Sequence, residues 1–142
     1  MAEQCFVAFA DYLKAHLQFE DNHLFPLLEK QGINSRWPLL VYSKEHEKII
    51  ALLNKNRDLL ADYTKMQGRE KRLALLTLLD SQRSFNNVME HHEEREEMDL
   101  FLLLNGFDTA ALSLQWQQIE QALEQQYKNI EQRIDAYLRD TV

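Results

Sequence analysis

Apolar residues in the first thirty positions recur at three- and four-residue steps: Phe6, Phe9, Leu13, Leu17, Leu24, Leu27 and Leu28. That spacing places them on one stripe of a 3.6-residue helix and predicts an amphipathic helix from Ala2 to about Lys30, closed by Gly32. A second stripe, Leu39, Tyr42, Ile49, Ile50, Leu53 and Leu60, predicts a helix capped by Ser35, with Pro38 in its first turn and Gly68 marking its end. The third helix is expected from about Arg69 to Leu104, stopping at Asn105-Gly106. The fourth, capped by Asp108 or Thr109, carries Leu112, Trp116, Ile119, Leu123, Tyr127, Ile130, Ile134 and Tyr137 at near-heptad spacing.

Helices of this length span about 45 Å, which the short loops between them cannot cross. Successive helices are therefore antiparallel neighbours. The expected fold is all-α, an up-down-up-down four-helix bundle forming a single domain over residues 1–142.

Composition supports this reading and narrows the function. Three Gly and two Pro in 142 residues leave little material for hairpins. The net charge of −7, without a basic stripe, argues against a nucleic-acid partner. No apolar stretch reaches the ~20 residues that cross a bilayer, and the N-terminus lacks the pattern of a signal peptide. Cys5 is the only cysteine, which excludes an intramolecular disulfide and a thiolate metal site. A reducing cytoplasm is the expected location.

The chemistry lies in a repeat. His16-x-x-x-Glu20-x-x-x-Leu24-Phe25-x-Leu27-Leu28 returns 76 positions later as His92-x-x-x-Glu96-x-x-x-Leu100-Phe101-x-Leu103-Leu104. A His and a Glu four apart share one helical face, so both can address the same point. Helices 1 and 3 run parallel across the bundle, and at 1.5 Å per residue the two pairs differ in height by only about 5 Å. His46, about ten residues into helix 2, reaches the same level. One turn beyond each Glu, His23 and Asp99 are further candidates. Imidazoles with carboxylates able to bridge suit iron or manganese better than structural zinc, and facing Glu and His side chains are a known way for four helices to hold such ions. The plain alternative for any one of these histidines is a hydrogen-bonded core residue.

These residues resemble the hemerythrin-like, or HHE cation-binding, family over residues 10 to 104. His16-Leu-Gln-Phe-Glu20-Asp21-x-x-Leu24-Phe25-Pro26 is similar to its H-x-x-x-E-E-x-x-L-F-P signature, Glu45-His46-Glu47 to its single-His helix, and His92-x-x-x-Glu96-Glu97-x-x-Leu100-Phe101 to its last ligand helix. The resemblance implies a hemerythrin-like bundle holding non-haem iron, with His16, Glu20, His46, His92 and Glu96 as metal ligands and the two Glu as bridges. It implies a protein that binds or senses dioxygen or nitric oxide, or serves in iron–sulfur and iron stress, more in keeping with a gas-binding protein than an enzyme. The family usually has a further helix ahead of the first signature that brings one or two more His, whereas fifteen residues precede His16 here. One metal or two therefore stays open, with His23 and Asp99 as candidates to complete the set. An extra C-terminal helix, about 108–140, would complete the bundle.

A second resemblance is to bacterial anti-sigma regulators, through Asp11-Tyr12-Leu13-Lys14-Ala15-His16 and Trp37-Pro38-Leu39-Leu40. It implies the alternative of a metal-free bundle that binds a protein partner such as a sigma factor. A homodimer is equally open.

Overall fold

The computed structural model describes residues 2–104 and 109–140, apart from some side chains near either end. Helix α1 runs over Ala2–Phe19, passes through a π-helical turn at Glu20–Leu24 and resumes over Phe25–Lys30. Helix α2 spans Leu39–Lys65. Helix α3 repeats the plan of α1, with Gly68–Arg95, a π turn at Glu96–Leu100 and a last turn at Phe101–Leu104. Helix α4 spans Ala110–Asp140. Among the described residues there is no strand, and no helix is long and apolar enough to cross a membrane. The expected Asn105-Gly106 stop, the Asp108 cap and the stripe positions Tyr127, Ile130, Ile134 and Tyr137 lie outside what is described.

The α1–α2 corner is set by glycine. Gly32 has φ +67°, a left-handed conformation that costs a residue without Cβ little. Its N–H bonds the Glu29 carbonyl and the Ile33 N–H bonds the Leu28 carbonyl, both at 3.0 Å, a Schellman close that folds Ile33 back onto the apolar cluster around Leu28. Ser35 does not cap α2 as expected. Its hydroxyl donates to the Trp37 carbonyl at 2.6 Å, and α2 begins at Leu39 after Pro38, whose extended ψ of 138° suits the N-cap position.

Side chains pair in opposite order along α1 and α2: Lys14 donates to Asn54 at 3.0 Å, and further along α1 Glu20 meets His46 earlier on α2. These two helices are therefore antiparallel. Two apolar clusters result. One joins Leu13, Leu17, Ile49, Leu53 and Phe85, and the other joins Leu24, Phe25, Leu28, Tyr42 and Leu100. Along each helix the candidate ligands fall between them, so a polar layer is sandwiched between two apolar ones. Helix α4 packs on α1 through Trp116, whose ring centroid lies 5.8 Å from Tyr12 and 5.4 Å from Phe19.

Asp99 ties the α1–α2 loop to α3. One carboxylate oxygen accepts from the Arg36 N–H at 2.8 Å, the Trp37 N–H at 3.4 Å and the Tyr42 hydroxyl at 2.9 Å. Burial, reinforced by that bond to Asp99, pushes the Tyr42 phenol well above its ordinary value of 10.0. Because the folded value is the higher one, this contribution to stability is complete below pH 10 and is lost as pH rises beyond it. Tyr42→Phe is expected to lower unfolding free energy by about 1–3 kcal/mol, since Asp99 keeps only backbone donors. In an alkaline absorbance titration of the wild type, one of the five tyrosines should ionise only as the fold is lost.

Candidate metal centre

Each member of the buried layer is placed by a different part of the helical pattern. Glu20 and Glu96 are the first residues of the two π turns, and in each turn the amide five residues on, Phe25 or Phe101, bonds their carbonyl. His46 lies one turn after Tyr42 on the buried stripe of α2, and His92 one turn before Glu96 on α3. Glu20 is 3% exposed, His46 1%, His92 1% and Glu96 3%. One donor atom from each of these four side chains lies within 4.8 Å of the others.

Closer distances show the convergence. His92 Nε2 lies 3.0 Å from Glu96 Oε1, and His46 Nε2 lies 3.4 Å from Glu20 Oε2. None of these four atoms has a hydrogen-bond partner. At 3.0 to 3.4 Å without hydrogen-bonding alignment, the lone pairs address a common space rather than one another. Donors bonded to one ion at about 2.1 Å stand roughly 3 to 4 Å apart, the spacing of these two pairs, and the four together span no more than 4.8 Å. The other unpartnered buried side-chain atoms besides His46 Nδ1, on Asn56 and Ser81, belong elsewhere, Asn56 being ten residues or about 15 Å along α2 from His46. The residues present fit a metal ion.

The far sides of both imidazoles meet carboxylates. His46 Nδ1 lies 3.1 Å from Asp21, whose other oxygen accepts from Ser43 Oγ at 2.8 Å. His92 Nδ1 lies 3.3 Å from Glu45, which also pairs with Arg95. At His92 the carboxylate bonded at Nδ1 favours the tautomer that keeps the Nε2 lone pair free, the arrangement common behind metal-binding histidines, whereas Asp21 lies beside His46 Nδ1 without a hydrogen bond. These partners are sequence neighbours of the ligands, Asp21 after Glu20 and Glu45 before His46, so each helix serves the histidine of the next. In the sequence Asp21 and Glu45 stand only as parts of the quoted motifs, with no role assigned, and Arg95 is not singled out; the signal available was their adjacency to Glu20, His46 and Glu96.

His16 stands at the edge of the layer. Its Nε2 is 3.2 Å from Glu20 Oε1, its side chain is about one third exposed, and the Trp116 ring meets it edge-on at 5.5 Å. The hydrogen bond to Glu20 holds its pKa above the ordinary 6.5. Burial, aided by the charge of Glu96 and opposed by the bond from His16, pushes the Glu20 carboxyl above 4.5.

His23 and Asp99 are not brought into the cluster. His23 is exposed and rests on Phe19 at 5.4 Å, while the buried Asp99 is engaged with the Arg36–Trp37 loop and Tyr42. The wider π turn is the physical reason. Each of its residues advances less than the about 100° of an α-helix, so a position three after Glu20 or Glu96 falls short of the face that an α-helical repeat predicts.

Two clefts reach the layer on either side of His16. One, about 400 Å³, lies between α1 and α3 and touches His92 and Glu96; the other, about 430 Å³, is walled by α1, the last turn of α3 and α4, and touches Glu20.

No curated protein and no solved structure matched the chain. The hemerythrin HHE cation binding domain matches residues 2–77, which takes in the His16–Pro26 signature, the Schellman corner and the whole of α2 with His46. The match ends within the first third of α3, yet the rest of α3 carries the second copy of the signature and sets His92 and Glu96 against the matched half. By that match, and with a buried His/Glu layer of cation-binding geometry behind it, the chain belongs to the hemerythrin HHE cation-binding domain family.

Proposed function

We propose that this chain is a non-haem iron protein whose metal is held by Glu20, His46, His92 and Glu96, with His16 as the ligand nearest the surface and manganese as the alternative ion. The observation that carries the reading is the set of four buried donor atoms within 4.8 Å of one another and without hydrogen-bond partners. Leaving them so in a protein without metal would cost several kcal/mol, which weighs against the alternative of a purely protein-binding bundle. Iron bound there supplies a redox-active Lewis acid for a small diatomic ligand such as dioxygen or nitric oxide. The chain's own residues exclude bulk water, place a carboxylate beside the Nδ1 side of each imidazole, and set His16 beside Glu20 at the edge nearest solvent. Sensing or carrying such a gas in the cytoplasm, as part of an iron or iron–sulfur stress response, fits this arrangement better than turnover of a bound substrate.

Metal analysis of aerobically purified protein tests the proposal. Between one and two equivalents of iron or manganese are expected, and His92→Ala or Glu96→Gln should remove most of the metal; a wild type free of metal after reconstitution refutes it.

Asp21→Asn and Glu45→Gln keep all proposed ligands but weaken the hold on His46 and His92. Each is expected to reduce metal affinity by about 10–100-fold, measured by chelator competition.

Acid should release the metal at a pH above that typical of exposed carboxylates, because the raised pKa values of Glu20 and His16 let protons compete earlier. In the metal-free chain Glu20 acts in the opposite sense, its contribution being most favourable below 4.5 and lost as pH rises through the folded value. Thermal melts of loaded and chelated protein across that range should therefore diverge with rising pH.

A further inference from the structure

The face of α3 turned away from the metal layer carries a pattern of its own. Leu73, Leu76 and Leu79 stand on it in the first half of the helix, each more than half exposed, and Met98 and Leu102 stand near its end, 59% and 60% exposed. Single exposed apolar residues are ordinary on a soluble protein. Leucines repeated at three-residue steps are different here, because α3 already packs into the core through Phe85 on its inner side, so the outer stripe is a second apolar face without a cover. Charge is sorted along the same face. At about 100° per residue, Arg69, Arg72 and Arg83 fall within about 40° of the direction of Leu76, with Asp80 the one acid among them. None of the three arginines has an ion-pair partner among the described residues. Further along, the exposed Glu90 and Glu94 fall in the same sector. The first half of the face is basic and the second acidic, with an apolar group in each.

A surface sorted in this way is complementary to itself when reversed. A two-fold axis at the exposed Asn87 sets positions equally far before and after it at one height on two antiparallel copies. Leu76 then meets Met98 of the second copy, while Leu73 lies about 1.5 Å from the height of Leu102 and Arg83 about 1.5 Å from that of Glu90. Symmetry makes each match twice. A partner of one charge sign, or an anionic lipid surface, would suit one half of the face and be repelled by the other. We infer that α3 pairs antiparallel with α3 of a second copy of this chain, through Leu76 with Met98, Leu73 with Leu102 and Arg83 with Glu90. The inference draws nothing from the metal-binding reading above. A contact about 44 Å long and about 10 Å wide covers roughly 900 Å² counted on both copies, less than stable complexes bury, so the dimer is weak and sensitive to salt.

Sedimentation equilibrium of the full-length protein over a concentration series up to about 500 μM, at about 0.05 and 0.5 M salt, tests it. A monomer–dimer equilibrium is expected, weaker at the higher salt. Leu76→Glu should weaken it at least about tenfold by burying a charge in the apolar match. Arg83→Glu and Glu90→Arg, each of which sets like charges together twice per dimer, should each do the same. Mixing the Arg83→Glu and Glu90→Arg proteins restores opposite charges at both places, and the mixture should associate within about threefold of wild type. All three positions are exposed, and circular dichroism should show wild-type helix content in each variant. Leu73→Glu is the second apolar variant should Leu76→Glu lose helix. A wild type that stays monomeric throughout, a dimer indifferent to salt or to the apolar variant, or a mixture no more associated than its two components overturns the inference.

Discussion

Two carboxylates and two imidazoles, all but sealed from water, lie between two apolar clusters in the middle of the bundle. Burying such groups without partners opposes folding, whereas the Leu, Ile, Phe and Tyr side chains above and below favour it. The remaining structure is arranged around that conflict. Helices α1, α2 and α3 each bring part of the layer to one height; Asp21 and Glu45 lie at the Nδ1 sides of the two histidines, away from the cluster, and Arg95 pairs with Glu45. A cation joining the four free atoms turns the least favourable part of the core into a cross-link between three helices.

The bundle was legible in the chain because three- and four-residue apolar steps are long and regular, and because Gly32 falls where a left-handed residue closes α1. Glu20, His92 and Glu96 were legible for a similar reason, since a repeated His-x-x-x-Glu keeps its meaning on any helix, and His46 by its height on the second helix. His23 and Asp99 looked equally well placed, and that reading assumed an unbroken α-helix through positions 20–24 and 96–100. Both segments are π-helical, and nothing in residue identity marks the extra width. The same turn that takes Asp99 away from the layer gives it to the Arg36–Trp37 amides and Tyr42, where it ties down the loop between α1 and α2. Ser35 illustrates a smaller limit, since a serine ahead of an apolar stripe reads as a cap although Pro38 starts the helix three residues later.

His16 and the C-terminal helix give the site its asymmetry. The first copy of the repeat ends near the surface, with its histidine half-buried beside Trp116, while the second copy ends in the core with His92 fully buried. Helices α1 and α3 are thus equivalent in sequence and unequal in access. Two clefts reach the His16 side of the layer, one lined by α3 and the other by α4.

The central claim is that the buried layer is a cation site, and thermal denaturation of chelated protein titrated anaerobically with ferrous iron tests it most directly. Binding to the folded state alone adds about 2.7 kcal/mol at a hundredfold excess over Kd, which for a chain of this size raises Tm by on the order of 10 °C. A Tm that climbs with iron in this way in the wild type, and stays flat in His46→Ala, is the predicted result. A wild-type Tm indifferent to ferrous iron and to manganese would contradict the account.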